Sequence, residues 1–246
     1  MYTISINYTS NNKRYTQMNE VAEFYNKYPY PNLNTYPAKL KNINSGAAPY
    51  NFKGNILVVG CGTAEAVLVA QNNPKAAVTG IDLSQTSITI SKSVRRHLKV
   101  SNVSLFVGNI LDNLFKPQEY DLVIASGVLH HIKEVDKALS NINSLLKPNG
   151  WLTGMVYSDD RPQYIRSICD MKIANVDDLK IILEEWKPEW YINYNQTKEE
   201  LADTWMHPYY TEYNESSLKE TLKEFTIAQL IKMPGKLLFS AQKKEK

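Results

Sequence analysis

Short apolar runs alternate with amphipathic segments between residues 50 and 160. Residues 56–59 are fully apolar and rich in β-branched side chains, which predicts a buried parallel strand. A helical pattern over residues 133–146 stops at Pro148 and Gly150, residues that terminate helices. Further strand patterns recur at residues 77–81, 103–107, 120–125 and 151–157. Strands that alternate with helices predict an α/β fold with a mostly parallel sheet.

The pattern after residue 157 changes to helices, followed by two strands. Two last apolar runs, at residues 226–231 and 236–242, predict strands joined around Pro234 and Gly235. The helices are predicted over residues 160–174, 176–186, 199–204 and 215–225, the last of them capped by Asn214 or Ser216. We therefore expect a helical insertion before the last strand pair.

The first fifty residues are rich in Asn, Tyr and Pro and differ from the rest of the chain. Residues 19–27 have apolar positions at helical spacing, which predicts a short helix. Residues 28–31, Tyr-Pro-Tyr-Pro, are predicted to be extended, because each proline disfavours a helical conformation in the residue before it. This segment is either an aromatic lid over a site or an anchor that packs on the domain, and the sequence leaves both open.

Glycines follow the first predicted strand, and an acidic residue follows the second. Gly60 and Gly62 allow a sharp turn and the close approach of a ligand to the backbone. Asp82 lies twenty residues beyond Gly62. In a parallel sheet, that spacing places a carboxylate beside the glycine loop, where it can accept hydrogen bonds from a ribose. The sequence therefore predicts a nucleoside-containing cofactor.

Glu65 stands where a dinucleotide-binding motif has its third glycine. A carboxylate in the first turn of a helix repels a pyrophosphate at that helix terminus. A cofactor with an adenosine and a positively charged sulfonium or ammonium group is compatible with Glu65. This favours such a cofactor over NAD, and an NAD-dependent oxidoreductase remains as a less favoured alternative.

Five motifs occur in a fixed order over residues 50–160. They are VVGCGT at 58–63, GIDLS at 80–84, VGNIL at 107–111, DLVIASGVLHH at 121–131 and LLKPNG at 145–150. In these motifs, the chain resembles the class I (Rossmann-like) S-adenosylmethionine (SAM) dependent methyltransferases, and within them the bacterial-type methyltransferase domain family.

The resemblance implies a Rossmann-like, seven-stranded, mostly parallel sheet with helices on both faces and an antiparallel last strand. It also implies an N-terminal arm or lid and a helical insertion between strands 5 and 6. The chain is expected to divide into an arm (1–50), a SAM-binding core (51–157), an insertion that shapes the acceptor pocket (158–225) and the last two strands with the tail (226–246).

The resemblance further implies a set of cofactor-binding residues. Asp82 would bind both ribose hydroxyls, Leu83 and Ile110 would pack on the adenine, and Asn109 stands where the family often has Asp. The complete set is Gly60, Cys61, Gly62, Asp82, Leu83, Asn109, Ile110, Ser126, Gly127 and, from the arm, Tyr28. The cofactor is expected to be SAM, and the product S-adenosylhomocysteine (SAH).

Three residues are candidates for a catalytic role: His207, His131 and Tyr30. Histidine and tyrosine are typical general bases where the methyl acceptor must lose a proton. His207 lies in an aromatic segment at residues 202–213, and His131 follows the fourth predicted strand. A structural role for either histidine stays open.

Composition limits the partners. A net charge of +3 is too small to imply nucleic acid, and the longest apolar runs are too short to span a bilayer. The two cysteines indicate neither a disulfide nor a metal site, and the N-terminus lacks a secretory signal, so a cytoplasmic protein is expected.

The expected function is methyl transfer to N or O of a small molecule or a protein side chain. The alternative is a catalytically silent SAM-binding regulatory subunit, and the oligomeric state stays open.

Overall fold

Seven strands of the described residues form one sheet. The computed structural model describes residues 12–32, 51–186 and 196–245, with side chains from residue 20 onwards in the first range. The strand order is β3-β2-β1-β4-β5-β7-β6, and β7 is antiparallel to both of its neighbours. The strands are β1 (Gly54–Val59), β2 (Ala76–Asp82), β3 (Val103–Val107), β4 (Tyr120–Ser126), β5 (Leu146–Tyr157), β6 (Phe225–Met233) and β7 (Lys236–Lys243). This confirms the expected Rossmann-like fold.

Helices lie before, between and after the parallel strands. They are α1 (Asn12–Lys27), α2 (Glu65–Asn72), α3 (Gln85–His97), α4 (Val135–Leu145), α5 (Gln163–Asp170), α6 (Val176–Trp186), α7 (Lys198–Trp205) and α8 (Glu215–Thr221), with a 3-10 turn at Leu129–His131. Side-chain caps define several helix starts. Ser84 caps α3, Thr197 and Glu200 form a capping box at α7, and Asn214 caps α8.

Several boundaries differ from the sequence predictions. Helix α5 starts at Gln163 because Pro162, at its N-cap, has an extended conformation, and it ends at Asp170, shortly before Lys172 with a φ of 51° in the left-handed region. Strand β5 starts at Leu146 rather than at residue 151, because Leu146 already pairs with Tyr120 before the register shifts. Helix α1 begins at Asn12 instead of residue 19.

The sheet has a hydrophobic core on each face. Alternate residues of a strand point to opposite faces. Ile56 and Val58 of β1 pack in a cluster with residues of α2 and α3, whereas Leu57 and Val59 pack in a cluster with residues of α4 and α8. All four side chains are buried. Burial on both faces explains why β1 is apolar at successive positions.

A third core joins the arm to the helices that follow β5. Tyr28 packs in one cluster with residues of α5, α6 and α7, among them Ile165, Leu179 and Trp205. The arm is therefore held against the insertion helices on the carboxyl-end side of the sheet. The expected division into four segments remains a prediction. None of the helices in the described ranges has the length and apolar character needed to cross a membrane.

Candidate active site

A cavity of about 1000 Å³ lies at the carboxyl ends of the parallel strands. One end is formed by the loops after β1, β2 and β3, and the other by residues that follow β4 and β5 together with α7. Eleven of the residues expected at a site line it: Gly60, Cys61, Gly62, Asp82, Leu83, Asn109, Ile110, Ser126, Gly127, Tyr30 and His131.

The glycine loop requires its glycines for conformation and for space. Gly60 and Gly62 have φ angles of 61° and 52°, in the left-handed region. A Cβ at Gly62 would lie 2.5 Å from the carbonyl oxygen of Tyr30. Cys61, between them, is buried, and this burial raises the pKa of its thiol well above the usual value. Cys61 is therefore a packing residue with a protonated thiol.

The carboxylate of Asp82 connects two loops. Its Oδ2 accepts a hydrogen bond from the backbone N–H of Gly62 at 2.8 Å, and its Oδ1 accepts one from Ser84 at 2.8 Å. Burial raises the pKa of Asp82, while the two backbone N–H donors act in the opposite direction. Each carboxylate oxygen keeps acceptor capacity for a ligand in the cavity.

Among the described residues, Asn109 has only part of its side-chain hydrogen-bonding capacity used. Its Oδ1 accepts a hydrogen bond from the backbone N–H of Leu111 at 2.9 Å. The side-chain amide N–H groups are therefore the atoms left to bind a ligand at this wall. Leu83 and Ile110 supply apolar surface beside it.

Glu65 places a carboxyl group in the wall of the cavity. It is the first residue of α2 and lies next to the glycine loop. Burial raises the pKa of Glu65 to about 8, so the carboxyl group is mostly protonated at neutral pH. A cation bound beside it would favour the ionised form.

The N-terminal arm is hydrogen-bonded to the glycine loop. Thr63 donates from its backbone N–H to the carbonyl oxygen of Tyr30 at 3.1 Å and from Oγ1 to that of Pro31 at 2.6 Å. Asn26 Oδ1 accepts hydrogen bonds from Ser84 Oγ and from the backbone N–H of Thr86. These contacts hold the arm beside the cavity.

Two tyrosines of the arm differ in their placement. Tyr30 lines the cavity, whereas Tyr28 is absent from its wall, is 8% exposed and packs beside Phe24. Tyr25 also lines the cavity, and its hydroxyl donates to Asp203 Oδ1 at 3.1 Å. The arm thus both anchors to the insertion and contributes to the cavity wall.

His131 is held in one tautomer. Its Nδ1 lies 2.8 Å from the carbonyl oxygen of Tyr209. A carbonyl oxygen can only accept a hydrogen bond, so Nδ1 carries the proton and Nε2 has a lone pair. Burial lowers the pKa of His131 to about 4, partly opposed by the bond to Tyr209, so the ring is neutral at pH 7.

His207 lies behind the wall of the cavity. It is 1% exposed, and its Nε2 lies 3.0 Å from the hydroxyl of Tyr157, which does line the cavity. His130 is fully buried, and its ring centroid lies 3.9 Å from that of Tyr157. Burial lowers the pKa of both histidines well below the usual value. The structure thus brings His131 to the cavity and places His207 as a support for Tyr157.

The cavity wall also includes three residues that the sequence analysis did not identify: Tyr157, Arg161 and Asp203. Glu65, which the sequence analysis used only to choose between cofactors, lines the cavity too. Tyr157 ends the fifth predicted strand, and Arg161 follows it closely. Their position at the carboxyl end of a parallel strand was the signal that could have found them. Asp203 lies within α7, and no sequence pattern indicates that it faces the cavity. In the described residues, no group of three or more His, Cys, Asp or Glu side chains is arranged to hold a metal ion.

The sequence matches a known family model. A model described as "Methyltransferase domain" matches residues 52–208, which include β1 to β5 and helices α5 to α7. A demethylmenaquinone methyltransferase of Listeria welshimeri is 29% identical over 100 residues, which cover 40% of this chain and 42% of that protein. An uncharacterized protein of Rickettsia prowazekii is 37% identical over 135 residues, which cover 51% of this chain and 54% of that protein. The chain spans about half the length of the curated relatives it matches.

Solved structures share the fold. Phosphoethanolamine N-methyltransferase 2 of Haemonchus contortus, solved in complex with SAM, superimposes with a TM-score of 0.57 at 16% identity. The match covers 85% of this chain and 53% of that protein. At this identity, the likeness concerns the fold alone.

Proposed function

We propose, from the premise that this chain belongs to the class I SAM-dependent methyltransferases, that it transfers a methyl group to N or O of an acceptor. The acceptor is a small molecule or a protein side chain, and SAH is the second product. The observation that carries this proposal is the Asp82 carboxylate, hydrogen-bonded to the glycine loop in a cavity that also contains His131 and Tyr157.

The residues at the cofactor end fit the groups of SAM. The two oxygens of Asp82 can accept hydrogen bonds from the two ribose hydroxyls, and Asn109 and Leu83 offer polar and apolar surface to an adenine. Glu65 can pair with the ammonium group of the methionine moiety. The cavity, at about 1000 Å³, is large enough for SAM and an acceptor together. SAM, when bound, supplies a methyl group attached to a positively charged sulfonium.

The protein contributes by positioning the two reactants. Methyl transfer is an in-line displacement. Holding the nucleophile in line with the methyl group can lower the activation free energy by up to roughly 7–11 kcal/mol. The arm, fixed to Thr63 through the carbonyl groups of Tyr30 and Pro31, would limit the access of water to this arrangement.

His131 is the proposed proton acceptor. Its Nε2 lone pair is available because Nδ1 is bonded to the Tyr209 carbonyl, which also fixes the plane of the ring. With a pKa of about 4, it is a weak base, which suits an acceptor whose proton leaves as the methyl group arrives.

Burial raises the pKa of Tyr30, so its hydroxyl would act as a hydrogen-bond donor. His207 is proposed to position Tyr157 through their hydrogen bond.

Methyl transfer is tested with labelled SAM. Purified protein is incubated with fractionated small-molecule and protein extracts, and Asp82→Ala is run in parallel. Label that enters an acceptor with the wild type and not with Asp82→Ala supports the proposal. A protein that binds SAM and labels no fraction would instead favour the silent regulatory subunit.

A further inference from the structure

The end of the cavity formed by residues after β4 and β5 and by α7, here called the acceptor end, contains a buried arginine for which the described residues supply no ion-pair partner. Arg161 lies just beyond β5, lines the cavity and is 6% exposed. Within residues 12–32, 51–186 and 196–245, no carboxylate forms a salt bridge with it. By contrast, its neighbour Arg166 pairs with Glu212, with 2.6 Å between Nε and Oε2.

The hydrogen bonds of Arg161 are also incomplete. Its Nη2 donates to the carbonyl oxygen of Thr204 at 3.4 Å, a long contact, and its Nη1 is buried without a hydrogen-bond partner in the described part of the chain. Burying a charge is costly unless the charge is paired and hydrogen-bonded. The described residues therefore leave one nitrogen of this guanidinium without a hydrogen-bond partner.

Two aromatic rings hold the guanidinium in place. Its central carbon lies 3.9 Å from the ring centroid of Tyr157 and 5.4 Å from that of Tyr210. Stacking on a ring face restrains the guanidinium plane, and the N–H groups lie in that plane, where they can bind an oxyanion. Such an arrangement preorganises the arginine for a ligand.

The surrounding charges also favour an anion. Lys133 and Lys236 line the same end of the cavity, together with the carboxylates of Glu134 and Asp203. Asp203 accepts a hydrogen bond from the Tyr25 hydroxyl. Glu212, which pairs with Arg166, also interacts electrostatically with Arg161. Counting that pair, four cations stand against three carboxylates, and the most deeply buried of the cations in the cavity wall is Arg161.

We infer that the methyl acceptor carries an oxyanion, a carboxylate or a phosphate, and that this group binds the guanidinium of Arg161. The inference rests on the proposed function, since it concerns the acceptor of that reaction. Guanidinium groups match the geometry of both oxyanions. Arg161 follows β5, three strands from Asp82 on β2, a separation of roughly 14 Å at the usual strand spacing. The oxyanion therefore belongs to the acceptor rather than to the ribose end of the cofactor.

The test measures the binding of small anions to the complex of the protein with SAH. Benzoate, phenyl phosphate and uncharged benzamide are titrated calorimetrically, because a flat ring can stack on the aromatic side chains of this wall. We expect the anions to bind more tightly than benzamide, and the stronger of the two identifies carboxylate or phosphate. In Arg161→Gln, anion affinity should fall about 10- to 100-fold, the loss of a charge-assisted hydrogen bond.

Two further variants complete the design. Arg161→Lys should recover part of the anion affinity, since it keeps the charge. Arg95→Gln, at an arginine of α3 outside the cavity wall, should behave as the wild type. SAH affinity should be unchanged in all three variants, which also verifies that they are folded.

Four results would overturn the inference: neither anion binds, benzamide binds as tightly as the anions, Arg161→Gln retains anion affinity, or Arg161→Gln weakens SAH. The last would assign the guanidinium to the carboxylate of the cofactor. Failure of the wild type to bind SAH would count against the proposed function instead, so the two failures are distinguishable.

Discussion

Asp82 and Gly62 are joined by a hydrogen bond of 2.8 Å from the backbone N–H of Gly62 to Oδ2 of Asp82. Gly62 follows β1 and Asp82 ends the adjacent parallel strand β2, so one side chain links the loops after these two strands at the edge of the cavity. The same carboxylate that is proposed to bind the ribose also holds the glycine loop, which is proposed to lie beside the methionine moiety. If Asp82 binds the ribose as proposed, cofactor binding and the geometry of the glycine loop are coupled through this side chain.

Asp82→Ala is expected to weaken SAM binding by on the order of 1–3 kcal/mol, because two ribose hydroxyls lose a charged acceptor. Asp82→Asn, which keeps one acceptor oxygen, should lose less. Calorimetry measures both affinities, and Asp136→Ala, at an exposed site in α4, is the matched control. An unchanged affinity in Asp82→Ala would mean that the ribose binds elsewhere.

Binding of SAM at pH 7 is expected to release up to about one proton from Glu65. Its carboxyl group, with a pKa of about 8, is mostly protonated before binding, and a nearby ammonium group lowers that pKa. Titrations in buffers with different ionisation enthalpies measure the released protons. Glu65→Gln should abolish the release, and so should methylthioadenosine, a ligand without the ammonium group. Equal proton release in Glu65→Gln and wild type would refute the assignment.

Acid is expected to destabilise the protein through His131. Its pKa is about 4 when folded and near 6.5 when unfolded, so the unfolded state binds more protons between these values. The free energy of unfolding therefore falls as pH drops from about 6.5 to 4, by up to about 1.4 kcal/mol per pH unit for this one group. The buried His130 and His207 act in the same direction.

Urea denaturation at pH 7 and pH 5 measures this dependence. His131→Asn should make the difference between the two pH values smaller than in the wild type, and His97→Asn, at an exposed site, controls for the substitution itself. A difference that stays the same in His131→Asn would show that its proton affinity does not change on folding.

Gly62→Ala is expected to displace the arm. The new Cβ would lie 2.5 Å from the carbonyl oxygen of Tyr30, at a φ of 52° that L side chains rarely adopt. We expect weaker SAM binding and faster proteolysis of the arm. Thr63→Val, which removes only the hydroxyl bond to Pro31, should show a smaller effect of the same kind. If the arm of Gly62→Ala is cleaved at the same rate as that of the wild type, the position of the arm does not depend on this contact.

Much of the cofactor end could be predicted from the sequence because its residues follow strands directly. The glycine loop, Asp82 and Asn109 lie at the ends of β1, β2 and β3, and parallel strands bring their carboxyl ends to one edge. The sheet order and the antiparallel β7 agree with the family resemblance. For these residues, the local sequence pattern and the order of the strands are sufficient to predict a place in the cavity wall.

The acceptor end could not be predicted in the same way. Tyr28 and Tyr30 are equivalent in the sequence, yet only Tyr30 lines the cavity, because Tyr28 packs against the insertion helices. His207 lies behind Tyr157, a relation set by how the segment after α7 returns to β5. The role proposed for Arg161 depends on the absence of a hydrogen-bond partner for its Nη1 among the described residues, and only the packed structure reveals that.

Calorimetric titration of the purified protein with SAM, and separately with SAH, is the measurement to make first. We expect both to bind with a dissociation constant on the order of micromolar, with one site per chain and a marked loss in Asp82→Ala. No binding of either ligand by the folded protein would contradict the assignment of this cavity as a SAM site.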